Sequence, residues 1–413
     1  MAEHSEFLEL LTGPSAGEML AAAVEAGGGE LINWRPEQVD HHAAGTTVAY
    51  RTEIRRHASS RPESEVLCAT AGGKLPDGVT VIGADDLQVG VWAAGADPLL
   101  PGMRAAMNPA AVSALFERCG LGSGDVSLEL LSYRPLRRAV VEATGSLGRL
   151  YLKVVPPAKV EALHDRHRLL TGAGVPAPRS LGWSDDGLLV LESLPGQNLR
   201  SVLRSGGPLP DPSQLLRVLD ALPTELLDAP RRTSWLERTE YYAHSIGDVV
   251  PELRTTAIQL AAEIVAESNS GPTVPVHSDF YEAQLFVDSH GAVTGLLDVD
   301  TAGPGDRLDD LACLVGHLDV LAQVLPQHAS AIGAYSAHCL STFDRCVDPR
   351  QLRLRVASVV LSLATGPHRV QEAGWRQATR ERLLLAESWV EAADRVNRSH
   401  WLPEGRNHHV SNA

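Results

Sequence analysis

Apolar residues between Ile32 and Leu99 come in short β-prone runs, TTVAYRTEI, SEVLCAT, VTVIG and LQVGVWAA, interrupted by Gly, Pro and Asp. That punctuation predicts an antiparallel sheet. In LLPGMRAAMNPAAVSALFERCG the spacing changes to that of a helix, and Asn108 is placed to cap it ahead of Pro109. A second β-rich block runs from SLELLSYRP through RRAVVEATGSLGRLYLKVVPP and predicts two or three strands. A helix from about Ala158 to Thr171 follows, then a strand pair turning at Asp185, Asp186 and Gly187. After Gly196 the periodicity is mostly helical to the end. Three domains are therefore expected: a mostly β cap over 1–118 that ends in a helix, a sheet with one helix over 119–195, and an α-rich region over 196–413. The fold class is α+β, and no internal repeat is visible.

Length and composition fit that division. A chain of 413 residues exceeds what one hydrophobic core usually supports. The hydrophobic fraction of 44% and charged fraction of 21% are those of a folded globular protein. Net charge is −15 and no run of Lys or Arg forms a stripe, which argues against nucleic acid or an anionic membrane as partner. The start, MAEHSEFLELL, is acidic where a signal peptide is basic, and no apolar run approaches the roughly 18 residues of a membrane span. A cytoplasmic location is expected, as a monomer or a homodimer. Cys68, Cys119, Cys313, Cys339 and Cys346 are odd in number and lack CxxC spacing, so they read as reduced core residues.

Candidate chemistry is concentrated in VHSDFYEAQLFVDSHGAVTGLLDVD, residues 276–300. Neither GxxxxGK[ST] nor GxGxxG occurs, so phosphates must be held by some other arrangement. Kinase-type transfer needs an aspartate at the acceptor hydroxyl, a carboxamide and a second aspartate for Mg²⁺, and a strand lysine for the phosphates. Asp279 and Gln284 have the spacing of the HRDxxxxN segment. LFVD and VTGLL predict a hairpin around Ser289, His290 and Gly291 that brings Asp298 back toward them. Oxygen donors of this kind suit Mg²⁺, which keeps waters and bridges phosphates. Only three lysines are present, Lys74, Lys153 and Lys159; Lys153 lies inside the strand pattern LYLKVV, where an embedded ammonium needs a partner or a phosphate. Glu161 and Asp165 on the following helix are its candidate carboxylate partners.

With HSDFYEAQLFVD and LLDVDTAGPGDRLDDLA in place, the chain from about Ser127 onward resembles the aminoglycoside phosphotransferase and choline kinase-like family. The resemblance implies a protein-kinase-like bilobal fold, here with an extra β-rich N-terminal cap. It implies ATP and Mg²⁺ as cofactors, Asp279 as catalytic base, Gln284 and Asp298 as metal ligands, Asp300 as a further ligand for metal or substrate, and Lys153 on the ATP phosphates. Leu191-Glu192-Ser193-Leu194 looks like the adenine hinge, with backbone groups of Glu192 and Leu194 on the base. His277, Asp306 and Asp310 read as bracing and capping residues. The chain departs from the family twice. Glutamine stands where asparagine is usual at 284, and the glycine-rich loop is missing, so SYRPLRRAVVEA must cover the phosphates with backbone and Arg137 or Arg138.

Together with the cap, the segments YRPLRR, DFYEAQ, DVDTAGPGDR and ATGPHRVQEAGWRQATRERL look most like maltokinase-like glucosamine kinases. The implied reaction is transfer of the ATP γ-phosphate to a sugar or aminosugar hydroxyl, glucosamine giving the 6-phosphate. Glu282, Asp300 and Asp279 would supply negative charge for an ammonium. Trp375 would offer a face to the sugar ring, and Arg376 or Glu372 would bind its hydroxyls. Acidity alone leaves aminoglycosides and maltose open as acceptors, and the two departures leave open a nucleotide-binding pseudokinase.

Overall fold

The computed structural model describes residues 2–396 except 43–44, 57–60, 84–87 and 123. The chain forms two compact units, one made of Met1–Pro195 with Pro367–Trp375, the other of Gly196–Gly366 with Arg376–Ala413.

The first unit opens with helices Ala2–Thr12 and Pro14–Ala26. They cover a five-stranded antiparallel sheet whose order is Gly29–His42, Gly45–Arg56, Glu63–Ala71, Val89–Ala93, Thr80–Ile82. Leu11, Leu20 and Val24 of the helices share a core with Val48, Tyr50 and Ile54 of the second strand. The Tyr50 hydroxyl donates to the Leu11 carbonyl at 2.6 Å, so a buried phenol finds its partner at a helix end. Pro36 is tolerated inside Gly29–His42 because that strand is at the sheet edge and the pairing is irregular between Pro36 and Gln38. The sequence pattern shows the strands, but the two N-terminal helices are not evident in it.

Helices Met103–Ala106 and Pro109–Arg118 follow, and the Asn108 side chain accepts from the Ala110 and Ala111 amides at 3.0 and 3.3 Å. A second antiparallel sheet has the order Ser127–Arg134, Arg138–Gly145, Gly148–Val154, Leu188–Glu192, Ser180–Trp183. Side chains alternate across it. Leu150, Leu152 and Val154 face Phe116, Val112 and Met103, while Tyr151 and Val155 share the other face with Val160 and Leu163 of helix Pro157–Gly172. That helix is fastened to its neighbours by His164 Nδ1 at 2.7 Å from Ser180 Oγ and His167 Nδ1 at 2.7 Å from the Pro178 carbonyl.

The second unit is mostly helical, with two small sheets. Helix Arg307–Val324 is buried along most of its length and packs on Pro349–Leu363 and Ala329–Phe343. Arg355 binds Asp309 at 2.7 Å and Asp306 at 3.0 Å, so a guanidinium inside the helical core is neutralised by the start of that helix. This mixture of antiparallel sheets followed by a helical C-terminal part is the kinase-like α+β fold that the resemblance implies. Among the described residues, no helix is long and apolar enough to cross a membrane.

Candidate active site

Strand Thr273–Val276 pairs antiparallel with Gly303–Asp306, and the chain leaves it into the segment that carries Asp279. Two successive amides there are held by one carboxylate. Asp310 accepts from the His277 N–H through Oδ2 and from the Ser278 N–H through Oδ1, each at 2.8 Å. Ser278 has φ 67°, left-handed backbone that a non-glycine residue adopts only when its surroundings impose it. Asp310 is fully buried, and burial pushes its carboxyl above the usual carboxylate range, although His277, Arg307 and the two amides oppose that shift.

The far side of the loop is tied to the segment after the hairpin. His277 Nε2 donates to the Leu297 carbonyl at 2.8 Å, and Thr301 Oγ1 donates to the His277 carbonyl at 3.2 Å. Arg232 bridges the Ser278 carbonyl at 2.7 Å and Thr301 Oγ1 at 3.4 Å. His277 therefore braces backbone with the ring nitrogen it has committed.

The expected hairpin is present. Leu285–Val287 pairs with Val293–Leu296, and Asp288 closes the turn by accepting from His290 and Ala292 amides at 2.9 Å. Gly291 has φ 81° and lies against the Leu209 carbonyl, where a Cβ would crowd the backbone. At the open end of the hairpin the Leu297 N–H donates to the Gln284 carbonyl at 2.7 Å. Gln284 and Leu297 thus continue the pairing one step beyond the ladder, with Asp298 next in the chain, and the Leu297 carbonyl is bonded back to His277, two residues before Asp279. Asp298 itself is left-handed, φ 52°, and starts the short 3-10 turn Val299–Thr301 that contains Asp300. Gln284 is 7% exposed, while Asp279, Asp298 and Asp300 are half-buried.

A stripe at i, i+3 and i+7 of helix Arg307–Val324 supports this loop from beneath. Asp310 takes the amides. The Cys313 thiol lies near Asp279; burial first, and then the Asp279 charge, raise its pKa well above the usual thiol value. His317 stacks on Tyr281, ring centroids 4.1 Å apart and planes at 27°. Burial, aided by Arg200 and Arg382, pushes the His317 pKa down to about 3, so the imidazole is neutral at pH 7. Burial and then the Asp279 charge raise the pKa of Tyr281, which stays a phenol. Asp310 is legible in the sequence as a brace, but Cys313 and His317 carry no signal there, because the stripe acquires meaning only against a loop some thirty positions earlier.

Glu282, expected to lend charge at the acceptor, is fully buried and bound to Arg200 Nε at 2.8 Å. A carboxylate so placed is in contact with the guanidinium instead of with solvent. Its other oxygen has no hydrogen-bond partner, and burial raises its pKa against the pull of Arg200.

In the first unit, Lys153 is 6% exposed on the middle strand of its sheet, directly between Val140 and Leu189. It is therefore no edge lysine, and by alternation it shares the face of helix Pro157–Gly172. Glu161 and Asp165 of that helix are both exposed. Glu192 ends its strand with its N–H on the Arg179 carbonyl at 3.0 Å, and its side chain is ion-paired to Arg179. The Glu192 amide is therefore committed, and Leu194 lies two residues beyond. Arg137 is exposed in the turn between the first two strands of this sheet. Trp375 is half-buried, edge-on to His368 with centroids 4.7 Å apart; Glu372 and, in the other unit, Arg376 are exposed.

Among the described residues, no three His, Cys, Asp or Glu side chains form a group able to hold a metal ion. What the loop and hairpin offer is one amide oxygen and carboxylates, all hard donors. That set fits Mg²⁺, which is bound by one or two carboxylates plus waters and phosphate oxygens and not by an all-protein cage.

Among solved structures the chain is similar to a thermostable mutant of aminoglycoside phosphotransferase APH(4)-Ia in its apo form, at 18% identity over 68% of this chain and 96% of that one, TM-score 0.43. It is also similar to the GDP complex of an aminoglycoside 2'-phosphotransferase-IIIa mutant, at 17% identity over 68% and 98%, TM-score 0.46. A third is an ethanolamine kinase from Plasmodium vivax, at 11% identity over 65% and 84%, TM-score 0.41. Scores of this size carry no argument about function. No curated protein matches the chain. The phosphotransferase enzyme family matches residues 136–354, more than half of the chain and the whole stretch from Lys153 through Asp310, so the protein belongs to that family.

Proposed function

We propose that this phosphotransferase is an ATP- and Mg²⁺-dependent kinase that phosphorylates a sugar hydroxyl, with glucosamine converted to glucosamine 6-phosphate. The observation that supports the reading is the doubly bonded loop: Asp310 fixes the two amides ahead of Asp279, and the hairpin returns Leu297, the residue before Asp298, to the Gln284 carbonyl.

In this reading Asp279 accepts the proton of the acceptor hydroxyl as its oxygen attacks the γ-phosphorus. The new O–P bond forms, the bond to the β,γ-bridging oxygen breaks, and ADP departs. Lys153 offsets charge on the phosphates, and the Glu192 carbonyl and Leu194 backbone orient the base. Gln284 and Asp298, with Asp300 close by, hold Mg²⁺, which when bound neutralises charge on the β- and γ-phosphate oxygens. Asp300 also faces the acceptor, and the Trp375 ring with Arg376 contributes to acceptor binding. Glu282 acts by keeping Arg200 and Tyr281 in position.

Acceptor-dependent ADP release with glucosamine, glucose, maltose and a kanamycin-type aminoglycoside tests the proposal. Preference for glucosamine over glucose and maltose by at least about tenfold in kcat/KM is expected, because an ammonium matched to a carboxylate is a charge-assisted contact. Preference for the aminoglycoside or maltose would reassign the acceptor. ATP binding without release on any of them would replace the enzyme by a binding module.

A further inference from the structure

The stretch RRTSWLERTE, residues 231–240, sets two arginines side by side ahead of a tryptophan, and the second unit uses the two differently. Arg231 is neutralised locally by Glu237 at 2.8 Å. Glu237 also accepts the Ser234 N–H at 2.7 Å and gives its own N–H to Ser234 Oγ at 3.2 Å, a reciprocal pair of bonds that fixes the turn. Two residues on, Thr239 Oγ1 lies 2.6 Å from Ser358 Oγ inside the core, so the segment is anchored to helix Pro349–Leu363. Arg232 directs its guanidinium at uncharged oxygens. Its Nη1 donates to the Ser278 carbonyl at 2.7 Å and, more weakly, to Thr301 Oγ1 at 3.4 Å. The guanidinium carbon is 5.0 Å from the centroid of the Trp235 ring, a cation–π contact that keeps the charge in place.

Ser278 is the last residue before Asp279, and the peptide groups on both sides of it are held by charges. Asp310 accepts the Ser278 N–H. Arg232 takes the Ser278 carbonyl, which belongs to the peptide group leading into Asp279. With φ 67° at Ser278, release of that carbonyl lets the backbone rotate toward the commoner conformations, and the rotation re-aims the Asp279 side chain while the hairpin beyond stays paired. A bond from a guanidinium is stronger than one between neutral groups, so this hold is a firm one. Arg232 is also reachable from solvent. With Trp235 and Ser278 it lines a cavity of about 210 Å³, whose rim includes the exposed residues Thr233 and Glu237. The charges along that lining are Arg231, Arg232 and Arg355 against Glu237, Asp306 and Asp309, three of each sign. Loss of the Arg232 side chain would therefore bare the Trp235 face in a pocket with one excess negative charge, a receptor for a small planar cation.

We infer that Arg232 is a positioning residue for phosphoryl transfer: by holding the Ser278 carbonyl it sets the direction of Asp279 toward the acceptor hydroxyl, and it does so from a cavity in which its guanidinium can be replaced. This inference rests on the kinase reading and adds to it a group that acts through Asp279 and not on substrate or nucleotide. Because Arg232 governs only the aim of Asp279, its removal weakens the transition state and leaves the ground-state complexes intact. The loss appears in kcat, with the binding of both substrates retained.

The test compares the full chain carrying Arg232→Ala with wild type by acceptor-dependent ADP release, calorimetry with MgATP and thermal unfolding. Expected for Arg232→Ala is a kcat lower by about 30-fold, the scale of one charge-assisted bond, with the Kd for MgATP and the acceptor KM within about threefold. Millimolar guanidinium chloride should raise kcat of Arg232→Ala by at least about fivefold and leave wild type unchanged, whereas urea, of the same planar shape but uncharged, should restore nothing. A kcat within about threefold of wild type in Arg232→Ala would overturn the role, as would a loss matched by an equal loss of MgATP affinity or one that guanidinium does not restore. Should the alanine variant not fold, Arg232→Gln, which keeps bulk and a donor, decides in its place: a kcat lower by about tenfold with MgATP affinity retained supports the role, and wild-type kcat overturns it. Wild-type activity that Arg232→Ala retains refutes this role alone. Absence of ADP release by wild type on every acceptor would refute the kinase reading and this role with it.

Discussion

Replacing Asp310 by Asn perturbs the catalytic loop at its foundation without altering a side chain proposed to touch substrate. The carboxylate accepts two buried amides at 2.8 Å, one per oxygen. An amide side chain offers one acceptor oxygen and turns its NH₂ toward the other N–H, which costs about 1–3 kcal/mol for an unsatisfied buried donor. Release of the left-handed backbone at Ser278 favours rearrangement by roughly another 1 kcal/mol. The loop therefore gains about 2–4 kcal/mol toward a shape in which Asp279 is displaced. Opposing this, a buried carboxyl whose pKa is raised already carries a desolvation penalty that the neutral amide lacks, so global stability should fall by less than the loop term. The two effects separate experimentally. Turnover of Asp310→Asn, measured by ADP release, should drop about 100-fold, the scale expected for a displacement near 1 Å, while the thermal midpoint moves by only a few degrees. Turnover within threefold of wild type would refute the bracing argument.

Two further outcomes follow from the supporting cluster. His317 is neutral when folded, with its pKa lowered from 6.5 to about 3, so its contribution to stability is full above pH 6.5 and is lost as pH falls through that window toward 3. Between pH 6 and 4 the unfolding free energy of wild type should fall about 2.5 kcal/mol further than that of His317→Gln; parallel profiles in chemical denaturation would contradict the assignment. Arg200→Met should destabilise by about 1–3 kcal/mol because Glu282 is left buried without its ion pair, and adding Glu282→Gln should recover most of that loss. The Glu282 pKa is already raised by burial, so the Arg200→Met penalty should shrink at acid pH as the carboxyl protonates; a penalty that grows on acidification would count against the account.

The parts of the molecule that are legible in the sequence are those specified by local chemistry. Asn108 before Pro109, the DSHG turn and the alternation in LYLKVV each commit a short segment to one conformation, and each is found so. Asp306 at the start of its helix is likewise a cap, accepting from Leu308. What could not be read depends on distant pairs. Asp310 is recognisable as a brace, but Cys313 and His317 join it only because helix Arg307–Val324 runs under a loop it follows by about thirty residues. Arg200 and Glu282 are 82 positions apart. Glu282 looks like a free carboxylate in DFYEAQ because nothing local announces the guanidinium that buries with it. The two N-terminal helices were hidden for another reason: Gly13 and Pro14 interrupt a short alanine-rich stretch whose stability comes from packing on the sheet.

The central claim is that Asp279, on a loop fixed from both sides, takes the acceptor's proton during phosphoryl transfer. Asp279→Asn keeps the side chain's size and removes its basicity, so a single-turnover measurement with bound MgATP and glucosamine tests the claim most directly. The account predicts nucleotide affinity within a few-fold of wild type and a rate of transfer lower by about 10²- to 10⁴-fold. Transfer at close to the wild-type rate with nucleotide fully bound would contradict it.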